Sequence, residues 1–359
     1  MPPHLPERHL LKSATMFDVS AEWPLAWAIP IFIACGALIF AVGTRLSALA
    51  DELADRTGMG EALMGAVFLG AVTSLPGITT SVVAASQGLA QLSLANAYGG
   101  IAAQTAFLAI ADISYRGVNL EHAAASVENL IFGAVLVVLL GILLWATSAP
   151  EITVWAVHPA SFLLLLAYGA LLKFVQAARD NPMWTPVRTR QTREDTPEDH
   201  PESASLTVQI LKLAGAGVLV MGAGWALTQS GNSIANKTGI NATAVGALGT
   251  AVVTSLPELV TSIAAVRRGA LTLAVGGILG GNAFDTLFAA VADFFYRDGS
   301  IYHAASDKAA SLVALSIVMT GMLLLGLLHR ERKGPGKIGF ESLSVLIIYV
   351  VGSLVAALA

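Results

Sequence analysis

The chain has 359 residues, 55% of them hydrophobic and only 12% charged, with a mean hydropathy of +0.71; soluble domains carry roughly 25% charge, which excludes that class and points to a membrane protein. Its formal net charge of −4 is spread without a basic block, so no nucleic-acid partner is expected. The single cysteine, Cys35, lies inside an apolar run, which excludes an intrachain disulfide and a thiolate metal site.

Residues 1–23 form a polar, proline-bearing N-terminal segment, and the apolar run after it outlasts the ~7–15 residues of a signal core, so no cleaved signal is expected. Ten apolar runs follow, at about 24–44, 60–86, 91–113, 125–147 and 152–178, then 205–229, 240–266, 270–295, 306–328 and 340–358. These are the lengths a helix needs to cross a bilayer, ~17–25 residues. Lipid cannot satisfy backbone N–H and C=O groups, and the runs are too long and uniform for barrel strands. The expected fold class is therefore an all-α membrane protein of about ten transmembrane helices. Residues 179–204, rich in proline, threonine and charge, read as a flexible loop between the halves 24–178 and 205–359.

The halves are one repeat. "VTSLPGITTS" from Val72 returns as "VTSLPELVTS" from Val253, a shift of 181 that also carries Gly65 to Gly246, Gly99 to Gly280, Asp112 to Asp293 and His122 to His303. Each half holds five spans, and five is odd, so the second half enters the membrane from the opposite side: an inverted-topology repeat, typical of secondary transporters with a midplane site. Outside termini would leave Arg8, Lys12, Lys237, Arg297 and Lys308 outside and put the remaining Lys and Arg on the cytoplasmic side. The positive-inside rule thus predicts a multi-pass cell-membrane protein with both termini outside and a cytoplasmic central loop.

Pro76 and Pro257 interrupt two spans, where each lacks an N–H and excludes the carbonyl four residues back. Around Glu258, Thr254 and Ser255 lie one turn before and Thr261 and Ser262 one turn after, so their oxygens share a helix face; Thr73 and Ser74 repeat the arrangement beside Gly77. Carboxylate, hydroxyl and carbonyl oxygens are ligands for hard cations. The next span of each half supplies a second wall. In "GGILGGNAFD", Asn282 and Asp285 share a face while Gly277 and Gly281 form a small-residue pair that admits a close helix; in "ANAYGGIAAQ", Asn96, Gly100 and Gln104 recur every four residues.

These motifs resemble the alpha repeats of the cation/calcium antiporter superfamily, which includes sodium/calcium exchangers. The resemblance implies an ion-exchange activity with Thr254, Ser255, Pro257, Glu258, Asn282 and Asp285 at the ion-site positions. The first repeat departs from the pattern, with Gly77 for an acid, Ile101 for an asparagine and Gln104 for an Asn or Asp. The expected cation-binding residues are Glu258, Asp285, Asn282, Thr254, Ser255, Thr73, Ser74, Asn96 and Gln104, with Glu258 and Asp285 the charged metal ligands. Together they carry −2 when ionised, enough for one Ca²⁺ or two charges of Na⁺ or H⁺.

The expected function is exchange of Ca²⁺ against Na⁺ or H⁺; a monovalent Na⁺/H⁺ antiporter, a channel and a non-transporting ion sensor are the alternatives. All seven histidines fall at or beyond span ends, which weakens an intramembrane hydrolase. No enzymatic cofactor is expected, since Ca²⁺, Na⁺ and H⁺ are cargo. The partners are the lipid bilayer and small cations, with no obligate protein partner evident. Plainer roles compete: Pro76 and Pro257 as kinks, the glycines as packing devices, Asn96 and Gln104 as helix glue. Asp112 and Asp293, beside Tyr-Arg, are expected to be interfacial anchors paired with Arg116 and Arg297.

Overall fold

The computed structural model of the protein describes residues 22–56, 68, 70–115, 118–180, 182–187, 189, 205–331, 334 and 338–358. The N-terminal segment before residue 22, most of the expected loop and the first part of the 60–86 span lie outside these. The helices are α1 (Leu25–Arg56), α2 (Leu75–Ser86), α3 (Ala90–Ser114), α4 (Val127–Ser148), α5 (Pro159–Asp180), α6 (Leu206–Thr238), α7 (Ala242–Thr254), α8 (Leu256–Arg268), α9 (Leu271–Asp285), α10 (Leu287–Phe295), α11 (Asp307–His329) and α12 (Phe340–Leu358). One-turn helices, Leu120–Ala123 and Ile301–Ala304, follow α3 and α10.

The repeat is written in the helix starts: Leu25, Leu75, Ala90, Leu120 and Pro159 return 181 residues later as Leu206, Leu256, Leu271, Ile301 and Phe340. Among the described residues, seven helices are long and apolar enough to cross a bilayer, and α7 with α8 makes an eighth if the bent pair is one span. The other two expected spans coincide with shorter apolar helices, α2 and the Phe340–Val355 part of α12. Eight of ten expected crossings are thus accounted for by length.

α3 is the hub. In its most apolar stretch 94% of residues are buried, against 22% for α1 and 28% for α6, so α3 sits inside a shell of helices. The outer helices turn Trp27, Ile33, Leu166, Leu211 and Val218 outward, as lipid-facing surfaces require. α3 can sit so close to α7 because glycine removes the intervening side chain. A Cβ on Gly99 would lie 2.5 Å from the Ala247 Cα, and one on Gly246 would lie 2.6 Å from the Ala95 Cβ. Gly246 and Ala247 belong to a π-helical turn, Val245–Thr250, an irregularity that often accompanies functional sites. Of the Gly277–Gly281 pair only Gly281 meets a neighbour, with a Cβ there 3.6 Å from the Gln104 Oε1. Nothing lies within 4 Å of a Cβ at Gly277, and the tight contact falls one residue earlier, at Gly276 against the Asn129 Oδ1.

Both prolines end a break rather than bend a continuous helix. Ser255 (φ −95°, ψ 3°) leaves helical geometry and Ser74 (φ −79°, ψ −1°) lies at its edge as the N-cap of α2, and Pro76 and Pro257 then occupy the first turn of α2 and α8, where a missing N–H is harmless. The second break turns the chain by 46°.

Asp293 is not paired with Arg297. Asp293 is buried and accepts from the Ile301 N–H (3.1 Å), the His158 N–H (2.7 Å) and the Ser161 hydroxyl (2.7 Å). Asp112, equally buried, accepts from the Leu120 N–H (2.8 Å) and the Gly339 N–H (3.2 Å). Orphan N–H groups of neighbouring helix starts therefore bind both carboxylates, and at Asp293 they do so in place of the expected Arg297. Arg297 is exposed, and Arg116 lies outside the described residues.

Candidate cation site

The two breaks face each other at the centre of the fold. A cavity of about 10 Å³, room for roughly one water-sized particle, is lined by Ser74 and Gly77 of the first break, Thr254, Ser255 and Glu258 of the second, Asn96, Gly100 and Gln104 of α3, Asp285 of α9 and Phe288 of α10.

Asp285 is 2% exposed and its two oxygens are engaged by donors: the Ser74 hydroxyl reaches Oδ1 at 2.6 Å and the Gln104 amide reaches Oδ2 at 2.6 Å. That amide nitrogen also lies 3.4 Å from the Ser255 Oγ. Glu258, 8% exposed, sits beside the Thr73 hydroxyl, and its Oε2 has no hydrogen-bond partner. Asn96 donates to the Gly77 carbonyl (3.1 Å) and to the Ser81 Oγ (3.0 Å). Those bonds use the amide nitrogens. They leave Asn96 Oδ1 and Gln104 Oε1, like Glu258 Oε2, as buried oxygens without donors. Buried polar groups are almost always satisfied, so three bare acceptors on the lining side chains of one small cavity call for a positive partner.

Seven of the nine expected residues line the cavity. The other two do not. Asn282 points its amide at the Thr105 Oγ1 (2.9 Å), and the Thr73 hydroxyl caps the Gly70 carbonyl (3.1 Å), although Thr73 stays close to Glu258. Sequence reasoning also missed Phe288. Its position three residues after Asp285 placed it on the same helical face, but an apolar residue gave no chemical signal. Gly77 packs against it, since a Cβ there would lie 2.8 Å from the Phe288 Cε2.

Known proteins place this architecture. The sequence model described as sodium/calcium exchanger protein matches residues 27–176 and 208–357, two stretches themselves 181 residues apart. The chain belongs to the sodium/calcium exchanger family. It is accordingly a multi-pass membrane cation exchanger, a secondary transporter and not an enzyme. Among curated proteins it is 30% identical over 177 residues to the inner membrane protein YrbG of Escherichia coli K12, covering 49% of this chain and 52% of YrbG, about half its length. It is 25% identical over 289 residues to the putative antiporter CaxA of Alkalimonas amylolytica, covering 80% of this chain and 87% of CaxA. Its fold is similar to the sodium-calcium exchanger NCX_Mj (TM-score 0.58, 18% identity, 94% and 100% covered). It is also similar to the H⁺/Ca²⁺ exchanger CAX (0.62, 12%, 92% and 85%) and to YfkE (0.64, 16%, 94% and 94%). At such identities these structures speak to the fold alone.

Proposed function

We propose that this exchanger moves Ca²⁺ against Na⁺ or H⁺ by alternating access at the cavity between Glu258 and Asp285. The observation that carries this reading is the set of bare acceptors, Glu258 Oε2, Asn96 Oδ1 and Gln104 Oε1, on the lining of one buried cavity. The hydroxyls of Ser74, Thr254 and Ser255 add oxygens of the kind hard cations prefer. Helices broken at Ser74 and Ser255 let the two halves present backbone and side-chain oxygens at mid-membrane depth. The distribution of Lys and Arg supports outside termini and a cytoplasmic central loop.

One feature favours a second reading, a Na⁺/H⁺ antiporter. The Gln104 amide already sits on Asp285, where a divalent ion would need a free carboxylate. In proteoliposomes, paired gradients of Ca²⁺, Na⁺, K⁺ and H⁺ separate the readings. Ca²⁺ uptake driven by an opposing Na⁺ or H⁺ gradient is the expected result. Na⁺/H⁺ exchange without Ca²⁺ flux selects the second reading, and uncoupled conduction or no flux at all overturns both.

A further inference from the structure

At the end of the molecule where Asp112 lies, a second group of carboxyls is buried away from the cation site. Glu121, on the one-turn helix after α3, is 1% exposed and Glu341, in the first turn of α12, is 0% exposed. The Ser342 hydroxyl donates to Glu121 Oε1 at 3.1 Å, but Glu121 Oε2 and both Glu341 oxygens have no hydrogen-bond partner. The niche is shaped for the Glu341 side chain: a Cβ on Gly326 or on Gly339 would collide with it.

The repeat supplies an internal control. Adding 181 carries Glu121 to Tyr302, and subtracting it carries Glu341 to Ala160 and Ser342 to Ser161. At that opposite end the network closes without extra acids, since the Tyr302 hydroxyl and Ser161 Oγ are 2.8 Å apart and Ser161 donates to Asp293. One end therefore holds two buried carboxyls where its twin holds a phenol and a methyl group.

We propose that Glu121 and Glu341 form a proton-binding pair, distinct from the cation site, that fastens the one-turn helix after α3 to the start of α12 when it holds a proton. Asp112 takes the negative charge of the group, because two backbone N–H donors stabilise it. A proton on either glutamate supplies the donor that the bare oxygens lack, and two ionised glutamates would repel. Burial, and then the charges of Asp112 and Glu341, push the Glu121 carboxyl well above the usual range. Among the described residues, the other charged or titratable groups facing the cluster are Glu331 and Arg330 beyond the end of α11, and His122. The Arg330 guanidinium donates to the His122 and Val187 carbonyls, and the His122 ring bonds the Arg330 carbonyl (2.7 Å) and the Thr189 hydroxyl (3.2 Å). Among the described residues no three acidic, histidine or cysteine side chains converge to hold a metal ion. Asp112 stands eight residues, roughly 12 Å, beyond Gln104 on α3, so the pair acts on a helix that lines the cation cavity.

A pair that binds more protons folded than unfolded loses stabilisation as pH rises from the unfolded glutamate value through the folded one; each extra bound proton changes the folded-to-unfolded ratio about tenfold per pH unit in that window. The test uses the purified full chain carrying Glu258→Gln, which removes the cation-site glutamate, melted in chelator from acidic to alkaline pH. The melting temperature is expected to fall with rising pH. Adding Glu341→Gln or Glu121→Gln should flatten that fall and remove an infrared band of a protonated carboxylic acid. An unchanged slope overturns the proposal. So does an absence of the protonated-acid band in unsubstituted protein at neutral pH, a result independent of how any variant folds. Glu341→Ala, which copies the opposite end, provides a second variant with the same expected flattening. A Ca²⁺-induced rise in melting temperature that Glu341→Gln abolishes would show a cation site instead and likewise overturn it.

Discussion

Gln104 and Asp285 occupy equivalent positions of the two halves, 181 residues apart, and hydrogen bond to each other at 2.6 Å across the pseudo-symmetry axis. The break serines repeat the relationship: Ser74 donates to Asp285 at 2.6 Å while its equivalent, Ser255, lies 3.4 Å from the Gln104 nitrogen. The amide thus does at Asp285 part of what a cation would do. It neutralises nothing, but it fills the acceptor.

Gln104→Glu should reverse this. Two carboxylates would then face each other, so the variant should melt lower than wild type in chelator, because loss of the amide donor alone costs about 1–3 kcal/mol. Ca²⁺ should raise its melting temperature more than it raises that of wild type; saturation at ~100 times Kd corresponds to about 2.7 kcal/mol. Gln104→Leu serves as the comparison, losing the donor without adding a ligand. Equal Ca²⁺ responses in Gln104→Glu and wild type would remove Gln104 as a determinant of ion choice.

Phe288 explains the carboxylate missing from the first break. A Cβ at Gly77 would sit 2.8 Å from its ring, and Phe288 is buried against Phe284, with the ring centroids 6.3 Å apart. Gly77→Glu alone should therefore lower the melting temperature in chelator, Na⁺ and Ca²⁺ alike, an overpacking penalty of ~1–3 kcal/mol or more. Combined with Phe288→Ala, the glutamate has space beside Thr254, and Ca²⁺ should then stabilise the double variant above Phe288→Ala alone. If the double variant is as insensitive to Ca²⁺ as Gly77→Glu, packing is not what keeps an acid out of the first half.

Much of this was legible before any coordinates, because span length, the 181-residue register and helical spacing are properties of the linear chain. The four-residue interval of Asn96, Gly100 and Gln104 put all three on one wall, and all three line the cavity. The rest depended on partners remote in sequence. Asn282 turns to Thr105, 177 residues away, and Asp293 takes the His158 N–H, 135 residues away. No local pattern encodes which helix start arrives beside a carboxylate, so Arg297 was the natural but mistaken partner of Asp293. Phe288 shows the converse limit, a residue in the right register whose type carried no chemistry.

The revised role of Asp293 has its own test. Asp293→Asn turns one acceptor oxygen into a donor facing the Ile301 N–H or the His158 N–H, so at least one buried bond is lost and a donor–donor clash replaces it. The variant should melt well below wild type, consistent with about 1–3 kcal/mol for an unsatisfied buried group. Arg297→Ala should leave the melting temperature almost unchanged, as expected for an exposed side chain. The opposite ranking would restore the interfacial anchor.

Glu258→Gln tests the site most directly. The substitution keeps size and leaves an oxygen able to sit where Oε2 has no partner, but it removes the only carboxylate of the two proline-started helices α2 and α8. Removing a buried charge that lacks a cationic side-chain partner should not weaken folding, and the melting temperature in chelator should match or exceed wild type. Ion binding should suffer, since loss of a buried charged ligand costs ~2–5 kcal/mol, a fall of roughly 30-fold or more in affinity. Counterflow of the exchanged ions in proteoliposomes should then drop to near background while the protein remains folded and reconstituted. Near wild-type flux from Glu258→Gln would mean that the cation crosses by another route, leaving the cavity at the two breaks a structural feature alone.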